Sequence, residues 1–141
     1  MAPLTLHGHP IVRGAAEGTA LISPEPLSFW GGYDFESGEI TDRRHPLSGQ
    51  IAASRILGVP FSRGSSTTTA VLLEAIRAGT APAAILTTVN DSFFALAAIV
   101  ARELYDYILP IVMLSPEDYA QLKSGDWVQI TEDGLVSVDR E

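Results

Sequence analysis

The segment Phe61-Ser62-Arg63-Gly64-Ser65-Ser66-Thr67-Thr68-Thr69 gathers the side chains of this sequence best suited to chemistry. It follows an apolar stretch that reads as a strand and opens one that reads as a helix. Gly64 allows the tight backbone such a junction needs. The free amides of a helix start, with the positive end of its dipole, favour an anion. A serine hydroxyl held there could be stabilised as an alkoxide by those amides and by the nearby Arg63 guanidinium. A run of Ser and Thr at a helix start also has a purely structural use as an N-cap. No lysine stands where a nucleotide-binding P-loop requires one, so a nucleotide phosphate is not the indicated anion. The histidines say less. His7 and His9 would share one face of a strand and could join His45, but no carboxylate is fixed beside them by spacing, and no metal site is expected.

Presenting residues 61–69 requires a scaffold, and its elements are legible from texture. Leu4 to His7 and Gly18 to Ile22 read as short strands, broken at His9-Pro10 and at Ser23-Pro24. Ile51 to Leu57 reads as a strand ended by Gly58-Val59-Pro60. A helix follows over Ser66 to Ala78: Ser65 or Ser66 can cap it, Val71, Leu72, Leu73 and Ile76 give it an apolar stripe, and Gly79 stops it. Glu74 and Arg77 sit at helical spacing on its wet side. Ala83 to Thr87 is a buried strand, and Asp91 caps a second helix running to about Tyr105 that is apolar on nearly every face. Ile108 to Leu114 is another buried strand. Ser115-Pro116-Glu117-Asp118 opens a short helix, and Trp127 to Thr131 with Leu135 to Val138 form a hairpin around Asp133-Gly134. Strands, then alternating strand and helix, then a hairpin predict a layered β/β/α domain of the α/β class. A doubly wound sheet would need more helices.

Between Pro24 and Gly49 lies a long stretch without regular texture. Loops of that length are usually functional or disordered. Phe29, Trp30, Tyr33 and Phe35 make it a poor composition for disorder, so an ordered loop is expected, either as working surface or as a lid tucked onto the core.

Composition narrows the function. The 141 residues suit one domain, 1–141, with a core of its own. Acidic residues outnumber basic ones 17 to 9, the formal charge is −8 and Lys123 is the only lysine, which disfavours nucleic acid. With no cysteine, disulfides, thiolate catalysis and cysteine-ligated clusters are excluded from this chain, though not from a partner. The most apolar run, Phe93 to Ala101, is too short to span a bilayer, and no secretory signal is readable at Met1-Ala2-Pro3-Leu4, so a cytoplasmic, membrane-free protein is expected. The slightly positive mean hydropathy hints at surface covered by a partner.

The blocks Gly14-Ala-Ala-Glu-Gly18, Pro26-Leu-Ser-Phe-Trp-Gly-Gly-Tyr-Asp34, His45-Pro-Leu-Ser-Gly49, Arg63-Gly-Ser-Ser66, Leu73-Glu-Ala-Ile-Arg-Ala-Gly79 and Ala81-Pro-Ala-Ala84, in this order, resemble the small subunit of the aconitase X family. Arg63-Gly64-Ser65-Ser66 itself resembles the Gly-Ser-Ser segment of the aconitase swivelling domain. The resemblance implies a three-layer β/β/α swivelling domain, as in the aconitase C-terminal domain, closing over an iron–sulfur site held by the cysteines of a larger subunit. No cofactor is then expected on this chain. Ser65 would be the catalytic base, taking a proton from carbon while a hydroxyl leaves the neighbouring carbon. Arg63, Gly64 and Ser66 would bind substrate or stabilise the alkoxide. In aconitases proper an arginine follows the serine pair; Thr67 stands there, so that carboxylate contact is not carried over.

Ser28, Gly31, Gly32 and Asp34 of the aromatic loop, with His45, are candidates for shaping the pocket: Asp34 could bind an amine or hydroxyl, and His45 could donate to a carboxylate. Each also has a plain reading, Asp34 fixing its own turn and His45 as a satisfied structural histidine. The expected partner is the large subunit, in a heterodimer or larger assembly, and the substrate a small hydroxy acid. Of the two substrates known in the family, cis-3-hydroxy-L-proline is preferred to 5-phosphomevalonate, because only Arg63 is close in sequence to the helix start, although Arg43-Arg44 could approach it. The alternative from another class is a non-catalytic binding module on the same fold.

Overall fold

The computed structural model describes residues 4–64 and 67–140. The strands are β1 (Leu4–His7), β2 (His9–Val12), β3 (Ala16–Ile22), β4 (Ile56–Gly58), β5 (Ala84–Thr87), β6 (Ile111–Met113), β7 (Trp127–Ile130) and β8 (Leu135–Asp139). The helices are α1 (Thr67–Ala78), α2 (Ser92–Tyr105) and α3 (Pro116–Tyr119). The strands run in the order β1-β8-β7-β3-β4-β5-β6-β2. β3 is the hinge of this arrangement. Its first half, Ala16 to Thr19, pairs antiparallel with β7, and its second half, Ala20 to Ile22, pairs parallel with β4. One strand therefore belongs to an antiparallel sheet on one side and a parallel sheet on the other.

Strand alternation builds the layers. Leu21, Leu57, Ile85 and Ile111 face one way, into a core shared with α1, α2 and the long loop. Ala20, Ile56, Ala84, Leu86 and Val112 face the other way, against Leu6, Val128, Ile130, Val136 and Val138 of the antiparallel sheet. The result is the expected three-layer β/β/α domain. α1 and α2 pack on each other. α2 turns Phe94, Ala97, Ala98 and Ala101 inward and leaves Leu96, Ile99 and Leu104 exposed, which explains its apolar character on nearly every face. Among the described residues, no helix is long and apolar enough to cross a membrane.

Three strand expectations need correction. β1 spans Leu4–His7 as expected, but His9-Pro10 opens a second strand, β2, which pairs antiparallel with β6 at the sheet's edge, where a residue without an N–H is tolerated. The strand expected over Ile51 to Leu57 shrinks to Ile56–Gly58, because Ser54 adopts φ 63° and turns the chain. The one expected over Ile108 to Leu114 is confined to Ile111–Met113. The long loop is ordered, and Leu27, Phe29, Tyr33, Ile40 and Leu47 all enter the helix-side core. Phe29 stacks on Tyr33 at 5.2 Å between ring centroids and meets Phe94 of α2 edge-on at 5.6 Å.

Two consequences for stability follow from buried polar groups. Thr68, in the first turn of α1, is buried with a hydroxyl that finds no partner among the described residues. Thr68→Val keeps the side-chain shape and removes that desolvation, so thermal denaturation is expected to show a gain of about 1 kcal/mol; a loss of that size would contradict the assignment. Tyr33 donates to the Thr80 carbonyl at 2.7 Å and Tyr119 to the Ser23 carbonyl at 2.6 Å. Burial pushes both phenols well above their ordinary value of 10.0. The folded chain thus keeps protons that the unfolded chain releases above that value, so stability is unaffected by these groups below it and falls as pH rises through it. Each tyrosine contributes a slope of up to about 1.4 kcal/mol per pH unit. Urea midpoints should drop between about pH 9 and about pH 11; constant midpoints would contradict this.

Candidate active site

The chain leaves β4 at Gly58 and reaches α1 through a segment fixed from two sides. The Pro60 carbonyl accepts the Thr87 hydroxyl at 2.6 Å, the Thr88 hydroxyl at 3.0 Å and the Thr88 amide at 3.1 Å. The Ser62 amide and hydroxyl both donate to Asp91 Oδ2 at 2.7 Å. The Arg63 amide donates to the Leu27 carbonyl at 3.0 Å, tying the segment to the long loop. Gly64 has φ 113°, a region that side chains disfavour. The Ser28 hydroxyl oxygen lies 4.0 Å from where a Cβ on Gly64 would stand. Ser65 and Ser66, the expected base and its neighbour, lie outside the described residues.

Beside Arg63 opens a cavity of about 510 Å³ lined by Glu25, Pro26, Ser28, Asp42, Arg43, Arg44, His45 and Arg63. It brings together three expected site residues, Ser28, His45 and Arg63, and adds Arg43 and Arg44. Its lining thus carries three arginines and two acidic residues on a chain whose formal charge is −8. Among the described residues, none of the three is ion-paired, in contrast to Arg13, Arg77 and Arg140. Uncommitted guanidiniums suit a carboxylate or phosphate, which they can grip with two parallel hydrogen bonds. A larger cavity of about 650 Å³, with Pro24, Pro60, Pro116 and Leu122 in its wall, carries one cation, Lys123, against the three arginines here.

The other expected site residues have different surroundings. His45 is buried; its Nδ1 accepts the Leu47 amide at 3.1 Å, which leaves the proton on Nε2 to be donated to the Pro26 carbonyl at 3.2 Å. Nε2 also lies 3.3 Å from the Ser23 hydroxyl. Both ring nitrogens are therefore engaged in holding the cavity wall, and no N–H is left over for a substrate carboxylate. Asp34 does not line the cavity. Its carboxylate accepts the Glu36 amide at 2.9 Å and the Ser37 hydroxyl at 3.0 Å, closing its own turn. Gly31 and Gly32 do not line it either. A Cβ on Gly32 would stand 2.1 Å from the Ser28 carbonyl oxygen, so this glycine permits the tight turn that carries Ser28. Among the described residues, no group of three His, Asp or Glu could hold a metal ion. His7 and His9 are separated onto β1 and β2, both exposed, while His45 is committed elsewhere.

Sequence reasoning allowed Arg43 and Arg44 to approach Arg63 but did not count them among the site residues, and it read Asp91 only as a helix cap. The cap is present, with Asp91 Oδ1 accepting the Phe93 and Phe94 amides at 3.0 and 3.2 Å. Its second oxygen reaches back 29 residues to Ser62, a contact with no local signature.

A family model described as Aconitase X swivel domain matches residues 5–138. The cis-3-hydroxy-L-proline dehydratase of Pseudomonas aeruginosa is 46% identical over 131 residues, which cover 93% of this chain and 22% of that protein. The phosphomevalonate dehydratase small subunit of Thermococcus onnurineus is 36% identical over 137 residues, covering 96% of this chain and 99% of the subunit. The crystal structure of aconitase X from Thermococcus kodakaraensis in its holo-form superposes with a TM-score of 0.86 at 33% identity, over 97% of this chain and 99% of that one. The chain therefore spans a minor part of the Pseudomonas dehydratase and nearly all of the Thermococcus small subunit.

Proposed function

Because the chain belongs to the aconitase X swivel-domain family, we propose that it is the small subunit of a two-part hydro-lyase and supplies Ser65 as the base. The observation that carries the reading is the cavity of uncommitted arginines, whose Arg63 stands two residues before Ser65 in the chain. In the reaction, the guanidiniums of Arg43, Arg44 and Arg63 bind the acid group of the substrate and fix its orientation. The Ser65 oxygen takes the proton from the carbon beside the carboxylate, and the hydroxyl departs from the next carbon. This cysteine-free chain offers no thiolate to an iron–sulfur cluster; such a cluster belongs to the larger subunit, where it would assist departure of the hydroxyl. The small subunit alone is catalytically silent.

The preferred substrate is cis-3-hydroxy-L-proline, converted to 1-pyrroline-2-carboxylate, on the strength of the 46% identity to the Pseudomonas dehydratase. A second reading, (R)-5-phosphomevalonate, gains from Arg43 and Arg44 lining the same cavity as Arg63, since several guanidiniums are well suited to a phosphate. The test is co-expression with the larger subunit and assay of both compounds. Dehydration of cis-3-hydroxy-L-proline is expected only when both polypeptides are present. Turnover by this chain alone would overturn the division of labour, and turnover of the phosphorylated compound alone would replace the first substrate by the second.

A further inference from the structure

We propose that Asp91 is a positioning residue for the reaction, its buried carboxylate clamping Ser62 and thereby Arg63 and Gly64, the residues that lead to Ser65 in the chain. This rests on the reading of Ser65 as the base. Asp91 is 7% exposed, and its carboxylate meets four donors: the Phe93 and Phe94 amides at Oδ1, and the Ser62 amide and hydroxyl at Oδ2. No cation is ion-paired with it among the described residues.

Capping a helix does not require a buried charge. Asparagine or serine does it as well, and in this same fold α3 is capped by the neutral Ser115 hydroxyl. Burying an ionised carboxylate is costly unless it is fully hydrogen-bonded. The ionised form has one use here that a neutral cap lacks: each of its oxygens can face donors, so one carboxylate serves two segments at once. The Oδ2 contacts at 2.7 Å have the short lengths of charge-assisted bonds. Together with the Arg63 amide on the Leu27 carbonyl, they fix two successive amides of the turn. Proton abstraction from carbon needs that precision, since a displacement of about 1 Å can cost about 10²-fold in rate.

Asp91→Asn separates the two duties. Its single oxygen can cap α2, but its amide NH2 then faces the two Ser62 donors and cannot accept from them. In the assembled two-subunit enzyme, assayed with whichever of cis-3-hydroxy-L-proline or (R)-5-phosphomevalonate it dehydrates, kcat should fall by about 10- to 100-fold. KM should rise less than kcat falls, because Arg43 and Arg44 of the cavity lie outside the clamped segment. The primary deuterium isotope effect on kcat should rise as carbon–hydrogen cleavage becomes more limiting. Ser62→Ala, which removes only the hydroxyl bond, should show a smaller loss in the same direction. Ser115→Ala, a cap loss elsewhere, should lower Tm without lowering kcat. Ser65→Ala is measured alongside. If it is inactive while Asp91→Asn and Ser62→Ala keep wild-type kcat, the clamp is overturned and the base stands. An active Ser65→Ala overturns both. Loss of kcat in Asp91→Asn only in proportion to loss of folded protein, with Ser62→Ala unaffected, reduces Asp91 to a cap and also overturns the proposal.

Discussion

Ser65→Ala in the assembled enzyme is expected to lower kcat by about 10²- to 10⁴-fold, the range lost when a positioned base is removed. The size of that drop separates the two uses of a serine at a helix start. If Ser65 served only as an N-cap, alanine would cost about 1 kcal/mol of stability and leave the rate intact. As the base, its removal leaves the arginines of the cavity in place, so kcat is expected to fall while KM changes little. Arg63→Ala should behave in the opposite sense, raising KM more than it lowers kcat, because Arg63 lines the cavity without an ion-pair partner among the described residues. Steady-state kinetics of the two variants, with Tm measured on each, check both statements.

The second large effect concerns the long loop. Phe29→Ala is expected to destabilise the fold by about 3–5 kcal/mol, the usual cost of deleting a fully buried phenylalanine. Phe29 is 0% exposed and sits between Tyr33 and Phe94, so its loss opens a void between the loop and α2. Its neighbour Trp30 is 70% exposed, and Trp30→Ala should fall within about 0.5 kcal/mol of wild type. Adjacent aromatics of similar size therefore differ in effect by several kcal/mol. Denaturant titration of the two variants checks this, and equal midpoints would contradict the packing described. Ser28, which lines the cavity, immediately precedes Phe29. Loosening the loop should consequently also weaken substrate binding before the protein unfolds.

What could be read from the sequence follows the range over which its signals act. The caps at Asp91 and Ser115, the stop at Gly79 and the closing hairpin are local, and the structure has them where propensity and spacing put them. The Glu74–Arg77 pair, at 2.9 Å, is equally local. The strand over Ile51 to Leu57 was misjudged because nothing in the composition marks the turn at Ser54, whose positive φ breaks the apolar run. Pro10 misled in the other direction, since proline's exclusion from strands does not apply at a sheet edge and edge position is a property of the whole fold. The aromatic loop was recognisable as ordered, but which aromatic is core and which is surface depends on α2, far along the chain.

The candidate site divides in the same way. Ser28 and Arg63 were nameable from their segments, whereas Arg43 and Arg44 join them through long-range contacts, the Leu27–Ser62 bridge and the His45 bond to the Pro26 carbonyl. Asp34 carries an acidic side chain in a glycine-rich loop, which suggested a ligand, but its nearest donors are the residues of its own turn. His45 likewise satisfies itself within the loop. The second role of Asp91 requires two segments 29 residues apart to meet, and no periodicity or motif encodes that.

The most direct measurement is release of deuterium from substrate labelled at the carbon beside the carboxylate, followed in water with the assembled enzyme. Wild type should discharge the label into solvent, whereas the Ser65→Ala assembly and the larger subunit alone should retain it. Label release from the Ser65→Ala assembly at the wild-type rate would contradict the account, because some other group would then be removing that proton.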